Sequence, residues 1–397
     1  MSTLTQARPA APVRPRLLSG PLAATFLAEF TSLTSFFLLL SVMPMLAAAA
    51  GASSSGAGLI TGSLLLGTVV AEAVAAAVIS RLGCRAVLAA GAGLLGGPAL
   101  VMLAREPQAV MVSVSLVRGF GFGLCSVVAG ALTARLLPPE RRGEGLGLLG
   151  LVAGVPAIVA LPAGVWLAGH HLATAAVVVA AVAGLLPLAA LRWLPGGREP
   201  RPGARGLPGA RRSARMTGAG LRLPLIFAAV TVAAGVLASF LPLAKGIPGN
   251  LASAALLVQA LTATLTRWQA GKHGDRYGHA RLLIPALAAA ALGMAALIAL
   301  GSPVAVFAGV ALFGAGFGVI ENATFALLIE RLPEARASAL WNLAYDAGYG
   351  AGPAAFGLIC VHAGYPAAFA LTSALILAAV PVALRERKAG PLKNPRP

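Results

Sequence analysis

The chain has 397 residues, 58% of them hydrophobic and only 11% charged. A soluble protein of this length carries about a quarter charged residues, so a water-soluble globular fold is excluded. The formal net charge of +18 resembles that of a nucleic-acid binder until the charges are placed along the chain.

Apolar runs of about 20 residues, each able to cross a bilayer core of about 30 Å, recur from end to end. Twelve spans are expected, at 20–46, 55–79, 86–104, 108–134, 145–169, 172–191, 223–244, 250–267, 282–300, 303–330, 337–361 and 366–384. The runs are continuous rather than alternating, which excludes a β-barrel. The fold class is therefore an all-α membrane protein of 12 transmembrane helices.

Residues 1–19 form a polar N-terminal tail with no cleavage site behind a short apolar core, so no cleavable signal is expected. Spans one to six make a first six-helix bundle, 20–191. Residues 192–222 follow, with eight arginines and Pro195, Pro200, Pro202 and Pro208. This stretch is too polar to bury a core and reads as a basic linker. Spans seven to twelve make a second bundle, 223–384, and 385–397 is a basic tail. Cys84, Cys125 and Cys360 lack metal-ligand spacing and read as packing residues.

With both termini on one side, 27 of the 30 Lys and Arg fall in the tails and the even-to-odd loops. Only Arg105 and Lys245 lie on the other side, and Arg118 lies inside a span. The positive-inside rule then sets both termini in the cytoplasm. The basic residues are thus a topology code, with anionic lipid contact as a secondary effect. The nucleic-acid reading falls away. Composition rich in Ala, Gly and Arg suggests a bacterial plasma membrane.

A densely charged stretch, Arg267 to Arg281, separates spans eight and nine and reads as a loop. A weaker copy, Ser80-Arg-Leu-Gly-Cys-Arg85, lies 195 positions earlier. Arg81 maps onto Arg276, Gly83 onto Gly278, and Phe122-Gly123 onto Phe317-Gly318. Pro139-Glu140 maps onto Pro333-Glu334 at an offset of 194. Regions sharing one offset imply a duplicated half, hence two pseudo-symmetric bundles.

Gly271-Lys-His-Gly-Asp-Arg-Tyr-Gly-His-Ala-Arg281 resembles the loop signature Gly-x-x-x-Asp-Arg-x-Gly-Arg of the major facilitator superfamily, with His279 and Ala280 in place of a basic pair that resumes at Arg281. Arg118-Gly-Phe-Gly-Phe-Gly123 resembles the span-four motif of its proton-coupled members. Leu161-Pro162-Ala163-Gly164 is only loosely similar to the span-five motif of its antiporters. The resemblance covers both halves. It implies the major facilitator fold, a cavity lined by spans 1, 4, 7 and 10, and lipid-facing spans 3, 6, 9 and 12. It also implies gating roles for Arg81, Gly83, Arg85, Gly271, Asp275, Arg276, Gly278 and Arg281. In the first-half copy Ser80 stands where the acid belongs.

A charge at bilayer depth costs about 2.5–3.5 kcal/mol on insertion scales and is a functional candidate by default. Five are expected: Glu29, Glu72, Arg118, Glu321 and Asp346. From the helical rise, the four carboxyls lie about 13–15 Å deep, near one plane. Arg118 is the one buried cation expected to compensate them. Desolvation favours the neutral carboxyl, so at least one of the four is expected to carry a proton. Glu29 either pairs with Arg118 to join spans one and four or binds substrate or proton. Glu72 reads as a structural residue of a gating span. Glu321 and Asn322 read as cavity residues. Asp346 either closes the gate with Arg276 or Arg281 or transfers a proton.

The five histidines lie at loops or helix ends, and no nucleophile–base pair, metal set or Gly-Lys-Ser/Thr phosphate loop is present. No enzyme activity, cofactor or ATP use is expected. The expectation is a monomeric, proton-coupled secondary transporter that alternates access, exporting amphipathic small molecules. Few Trp and Tyr argue against a sugar importer. Two readings stay open: an importer or facilitator of a small organic nutrient, and a non-transporting receptor or assembly partner.

Overall fold

The computed structural model describes residues 18–104, 107–137, 142–194, 218–332 and 334–388. Most of the linker, the outer parts of both tails and the Pro139-Glu140/Pro333 repeat lie outside the described residues. Within them the chain is helical, without strands. An apolar solvent forces every backbone group to pair within its own segment, and a continuous helix achieves this.

The first bundle comprises α1 (Gly20–Ala49), α2 (Ser54–Leu82), α3 (Cys84–Gly96), α4 (Gln108–Leu136), α5 (Arg142–Gly169) and α6 (Ala173–Leu185). A 3-10 turn, Pro98–Leu103, prolongs α3, and short helical pieces carry α6 on to Trp193. The second bundle begins with α7 (Gly218–Phe240), α8 (Gly249–Tyr277), α9 (Leu283–Ala296) and α10 (Pro303–Arg331). The last helical stretch, Glu334–Ala378, is broken at Gly364, whose φ of 76° is left-handed. That break divides it into α11 (334–363) and α12 (365–378), which Val380–Lys388 continues. Among the described residues eleven stretches are long and apolar enough to cross a membrane, and the last, Arg336–Arg387 with 52 residues, suffices for two crossings. Twelve spans result, as expected.

Helix starts carry their own caps. The hydroxyls of Ser19, Ser53 and Ser302 accept from the backbone N–H three residues on. Helix ends fall at glycine where the chain must turn left-handed: Gly83 at φ 81° and Gly278 at φ 89°.

The duplication is exact in register. An offset of 195 carries Ser54–Leu82 onto Gly249–Tyr277 and Gln108–Leu136 onto Pro303–Arg331. It also carries the packing. Gly119 lies on the Leu64 carbonyl and Gly123 on that of Thr68, while Gly314 lies on the Gln259 carbonyl and Gly318 on that of Ala263. A Cβ at any of the four would overlap backbone, so α2–α4 and α8–α10 touch main chain to main chain. Such close approach is how helices associate in lipid, where apolar side chains gain nothing from leaving solvent.

Two features differ from the sequence expectation. Residues 267–277 are the last turns of α8, not a loop, and the turn shrinks to Gly278 and the 3-10 segment His279–Arg281. Their polarity hid a helix because charged and polar residues crowd its last turns. Likewise the final helix runs past 384 to Lys388. Glu386, 1% exposed, takes Arg222 at 3.5 Å and also Arg331, which ties the ends of α7, α10 and α12 together.

The ends of the molecule are unalike. Call the end with both termini the tail end and the other the far end. At the far end the bundles meet. The Ser41 hydroxyl donates to the Ala238 carbonyl. Thr61 and Ser239 hydroxyls lie 2.9 Å apart, and Ser253 donates to the Pro162 carbonyl at 2.7 Å. Gly58 sits under the Pro353 carbonyl, and Gly169 touches Gly249. Two seams therefore join the bundles, α2 against α11 and α5 against α8. Among the described residues α4 and α10 pack only within their own bundles. α1 and α7 are the most buried spans. Large apolar side chains such as Leu66, Leu265, Leu292 and Val304 lie exposed on the outer surface, as lipid contact requires.

Candidate substrate and proton site

The polar centre is built mainly by the second bundle. α11 presents Trp341, Tyr345 and Tyr349 at four-residue spacing, which puts all three on one face. The rings stack in a ladder, Trp341 to Tyr345 at 5.9 Å and Tyr345 to Tyr349 at 5.4 Å between centroids. Phe227 of α7 stacks on Trp341 at 4.7 Å, and Phe325 of α10 tilts against it at 5.3 Å.

Beside this wall stands an ion pair. Arg267 Nη1 of α8 donates to Glu321 Oε1 of α10 at 2.8 Å. The Arg267 side chain is 50% exposed and that of Glu321 12%, so the pair meets an opening rather than closed core. Arg267 stands ten residues inside the end of α8, about 15 Å along the axis, level with Glu321. Its partly exposed setting discounts its worth to stability. Its worth as a recognition element is greater, since a guanidinium and a carboxylate together offer fixed donors and acceptors.

Asp346 follows Tyr345 and so points about 100° round the helix, away from the ladder and towards α2. It is buried, and its carboxyl lies within hydrogen-bonding reach of the Glu72 carboxyl. The expected pairing of Asp346 with Arg276 or Arg281 is therefore replaced by a partner of its own sign on the opposite bundle.

Two buried polar atoms here lack partners: Asn322 Oδ1 and Trp341 Nε1. The Asn322 amide lies against Gly271 of α8. A buried unpaired group costs about 1–3 kcal/mol, so such atoms mark places where a ligand can complete the structure.

Glu29 and Arg118 stand apart from this cluster. Arg118, with no exposed surface, donates through Nε to the Leu95 carbonyl at 3.1 Å and through Nη2 to the Ser35 carbonyl at 3.0 Å. It braces α4 against α3 and α1. Glu29 is buried beside Cys125 of α4. The expected Glu29–Arg118 pair does not form: Glu29 Oε2 and Arg118 Nη1 are both without partners. Seven residues, about 10 Å of helix, separate Arg118 from Cys125, which explains why.

The residues expected to gate all lie at the tail end. Arg81, Arg276 and Arg281 are exposed. Asp275 is 83% exposed, 3.9 Å from buried His279, which also approaches Glu330 at 3.9 Å. Arg85 donates to the Leu191 carbonyl at 2.6 Å, fastening α3 to the end of α6. Lys272 lies over Trp268 at 3.6 Å and Arg192 over Trp193 at 3.7 Å.

Glu321, Asn322 and Asp346, singled out in the sequence, stand in this region, and Arg267, which was not singled out, stands with them. The signal existed: the 195-residue offset that carries Gly83 onto Gly278 carries Glu72 onto Arg267. Arg118 is accordingly not the one buried-level cation, because Arg267 is a second.

Two six-helix bundles that meet at one end beside a polar centre define a multi-pass membrane protein. The chain belongs to the Major Facilitator Superfamily, whose profile matches residues 25–338 and 225–397. Solved structures of the same fold include the nucleoside transporter NupG, at TM-score 0.70 and 15% identity over 93% of this chain and 98% of that one. A bacterial homolog of the human lysosomal transporter Spinster, in an inward-facing and unoccupied conformation, gives 0.73 and 15% over 95% and 98%. The xylose transporter XylE from E. coli, in a partially occluded inward open conformation, gives 0.71 and 15% over 96% and 100%. No curated protein matches the chain in sequence.

Proposed function

We propose that this chain is a proton-coupled secondary transporter in a bacterial plasma membrane, acting as a monomer and exporting amphipathic small molecules. The distribution of Lys and Arg supports a cytoplasmic tail end, and on that reading the conformation described is open inward. The observation that carries the substrate class is the stacked ladder Trp341–Tyr345–Tyr349 beside the carboxylate of Glu321. An aromatic wall suits planar, cationic molecules, and the Glu321 carboxylate, shared with Arg267, adds an acceptor beside it. Proton exchange at carboxyls sunk in the membrane supplies the driving force.

A second reading, uptake of a small hydroxylated nutrient, is favoured by the unpartnered Asn322 Oδ1 and Trp341 Nε1. The whole chain has four Trp and four Tyr, yet three of the eight stand at this site. Their scarcity therefore argues less against polar substrates than composition suggests. The xylose and nucleoside transporters of similar fold belong on this side of the balance.

Everted vesicles energised by respiration separate the two. The export reading predicts that they accumulate ethidium or another planar cation from a compound panel, and that an uncoupler abolishes the accumulation. Gradient-driven accumulation of a panel compound by intact cells instead contradicts it.

A further inference from the structure

The seam between α2 and α11 carries a feature the transport reading does not need. From the far end, Gly58 lies under the Pro353 carbonyl, Gly62 against Gly350 and Ala354, and Gly350 against Leu65. Nearer the tail end, two turns along α2 and one along α11, the seam reaches Glu72 and Asp346, one acid from each bundle with their carboxyls beside each other. Tight backbone packing on the far side fixes how closely these two acids approach.

We propose that the Glu72–Asp346 pair is a proton-operated latch between the bundles. One shared proton holds α2 and α11 together with the tail end open, and loss of that proton drives the seam apart. Two carboxylates in contact repel, whereas a carboxylic acid donates one hydrogen bond to a carboxylate. The pair therefore takes up a proton from solvent water when the seam closes and returns it to water when the seam opens. No other bond changes.

The surroundings leave this titration to the pair. On α11 the neighbouring titratable groups are Tyr345 and Tyr349. Arg267 of α8 is engaged by Glu321 of α10. On α4, Arg118 is held by backbone carbonyls, and Cys125 adjoins Glu29 of α1. Arg222 of α7 is held by Glu386 of α12 at the tail end. At the corresponding level the second seam has Arg267 where α2 has Glu72, and that arginine is engaged by Glu321, so the latch is confined to one seam.

The inference rests on the transport reading only for the meaning of opening and closing. It is tested by the distance between spin labels at Ala134→Cys on α4 and Ile329→Cys on α10, both exposed at the tail end. The background has Cys84, Cys125 and Cys360 replaced, and the protein is held in lipid nanodiscs from pH 5.5 to 8.5. The expected result is a long-distance, tail-open population at low pH whose ratio to the short-distance population falls about tenfold as pH rises. Glu72→Gln and Asp346→Asn each keep one hydrogen bond without a removable proton, so each stays tail-open across the range. A pH-independent wild type, or a full pH response surviving in Glu72→Gln, overturns the latch. Transport that persists with the latch overturned leaves the functional reading standing. A working latch without transport of any panel compound refutes that reading alone.

Discussion

The two seams that join the bundles are copies of one another in register but not in chemistry. α2 and α8 correspond residue for residue at an offset of 195, and each packs across the molecular divide near the far end. The α5–α8 seam is closed by backbone contact at Gly169 and Gly249 and by the Ser253 hydrogen bond to Pro162. Its charge, Arg267, turns back into its own bundle to meet Glu321. The α2–α11 seam places its charge, Glu72, across the divide against Asp346. Duplication supplied the scaffold, and divergence at single positions gave one seam a fixed ion pair and the other a pair that responds to protons. Under the proposed function and latch, recognition falls to one half and conformational control to the other.

The comparison is broken most severely by Glu72→Arg. This substitution gives the first seam the cation found in the second and makes a permanent ion pair with Asp346. Transport of a panel compound in proteoliposomes is expected to fall on the order of a hundredfold, with the spin-label distances fixed tail-open. Retained transport would show that the seam need not open there.

Gly119→Ala and Gly314→Ala probe the shared part of the two halves. Each pushes a methyl group into the facing backbone carbonyl, so each is expected to destabilise the protein by about 1–3 kcal/mol. A lowered melting temperature in detergent, similar for both variants, checks this. A loss confined to one half would deny that the halves pack alike.

Arg267→Gln removes one member of the exposed ion pair and leaves the latch intact. The expected result is a KM for the transported compound raised about three- to tenfold, a modest effect because the pair is partly solvated. The pH response of the spin-label distances should be unchanged.

The smallest effect belongs to Ser41→Ala, which deletes one far-end hydrogen bond to Ala238. Such a bond contributes about 1 kcal/mol. The tail-open population should fall about fivefold relative to the closed one at fixed pH.

Much of this architecture was legible in the sequence because it rests on local rules. Span positions follow from apolar run length. The duplication follows from the shared spacing of Gly83 with Gly278 and Phe122-Gly123 with Phe317-Gly318. Glu321 and Asp346 stood out because charge at depth is rare. What was hidden depends on contacts between distant segments. The approach of Glu72 to Asp346 is set by how α2 and α11 slide past each other, which no spacing encodes. Arg267 was hidden by its neighbours, since the polar turns of α8 after it resemble a loop. The absent Glu29–Arg118 pair shows the limit of counting charges. Arg118 finds backbone carbonyls nearer than any carboxylate.

Alternating access itself is tested most directly at the far end, where the Thr61 and Ser239 hydroxyls lie 2.9 Å apart across the divide. Replacing both with cysteine in a background without other cysteines, then oxidising, ties α2 to α7. The account predicts that the disulfide abolishes accumulation of a panel compound in everted vesicles and that a reductant restores it. Undiminished accumulation with the disulfide fully formed would contradict the account.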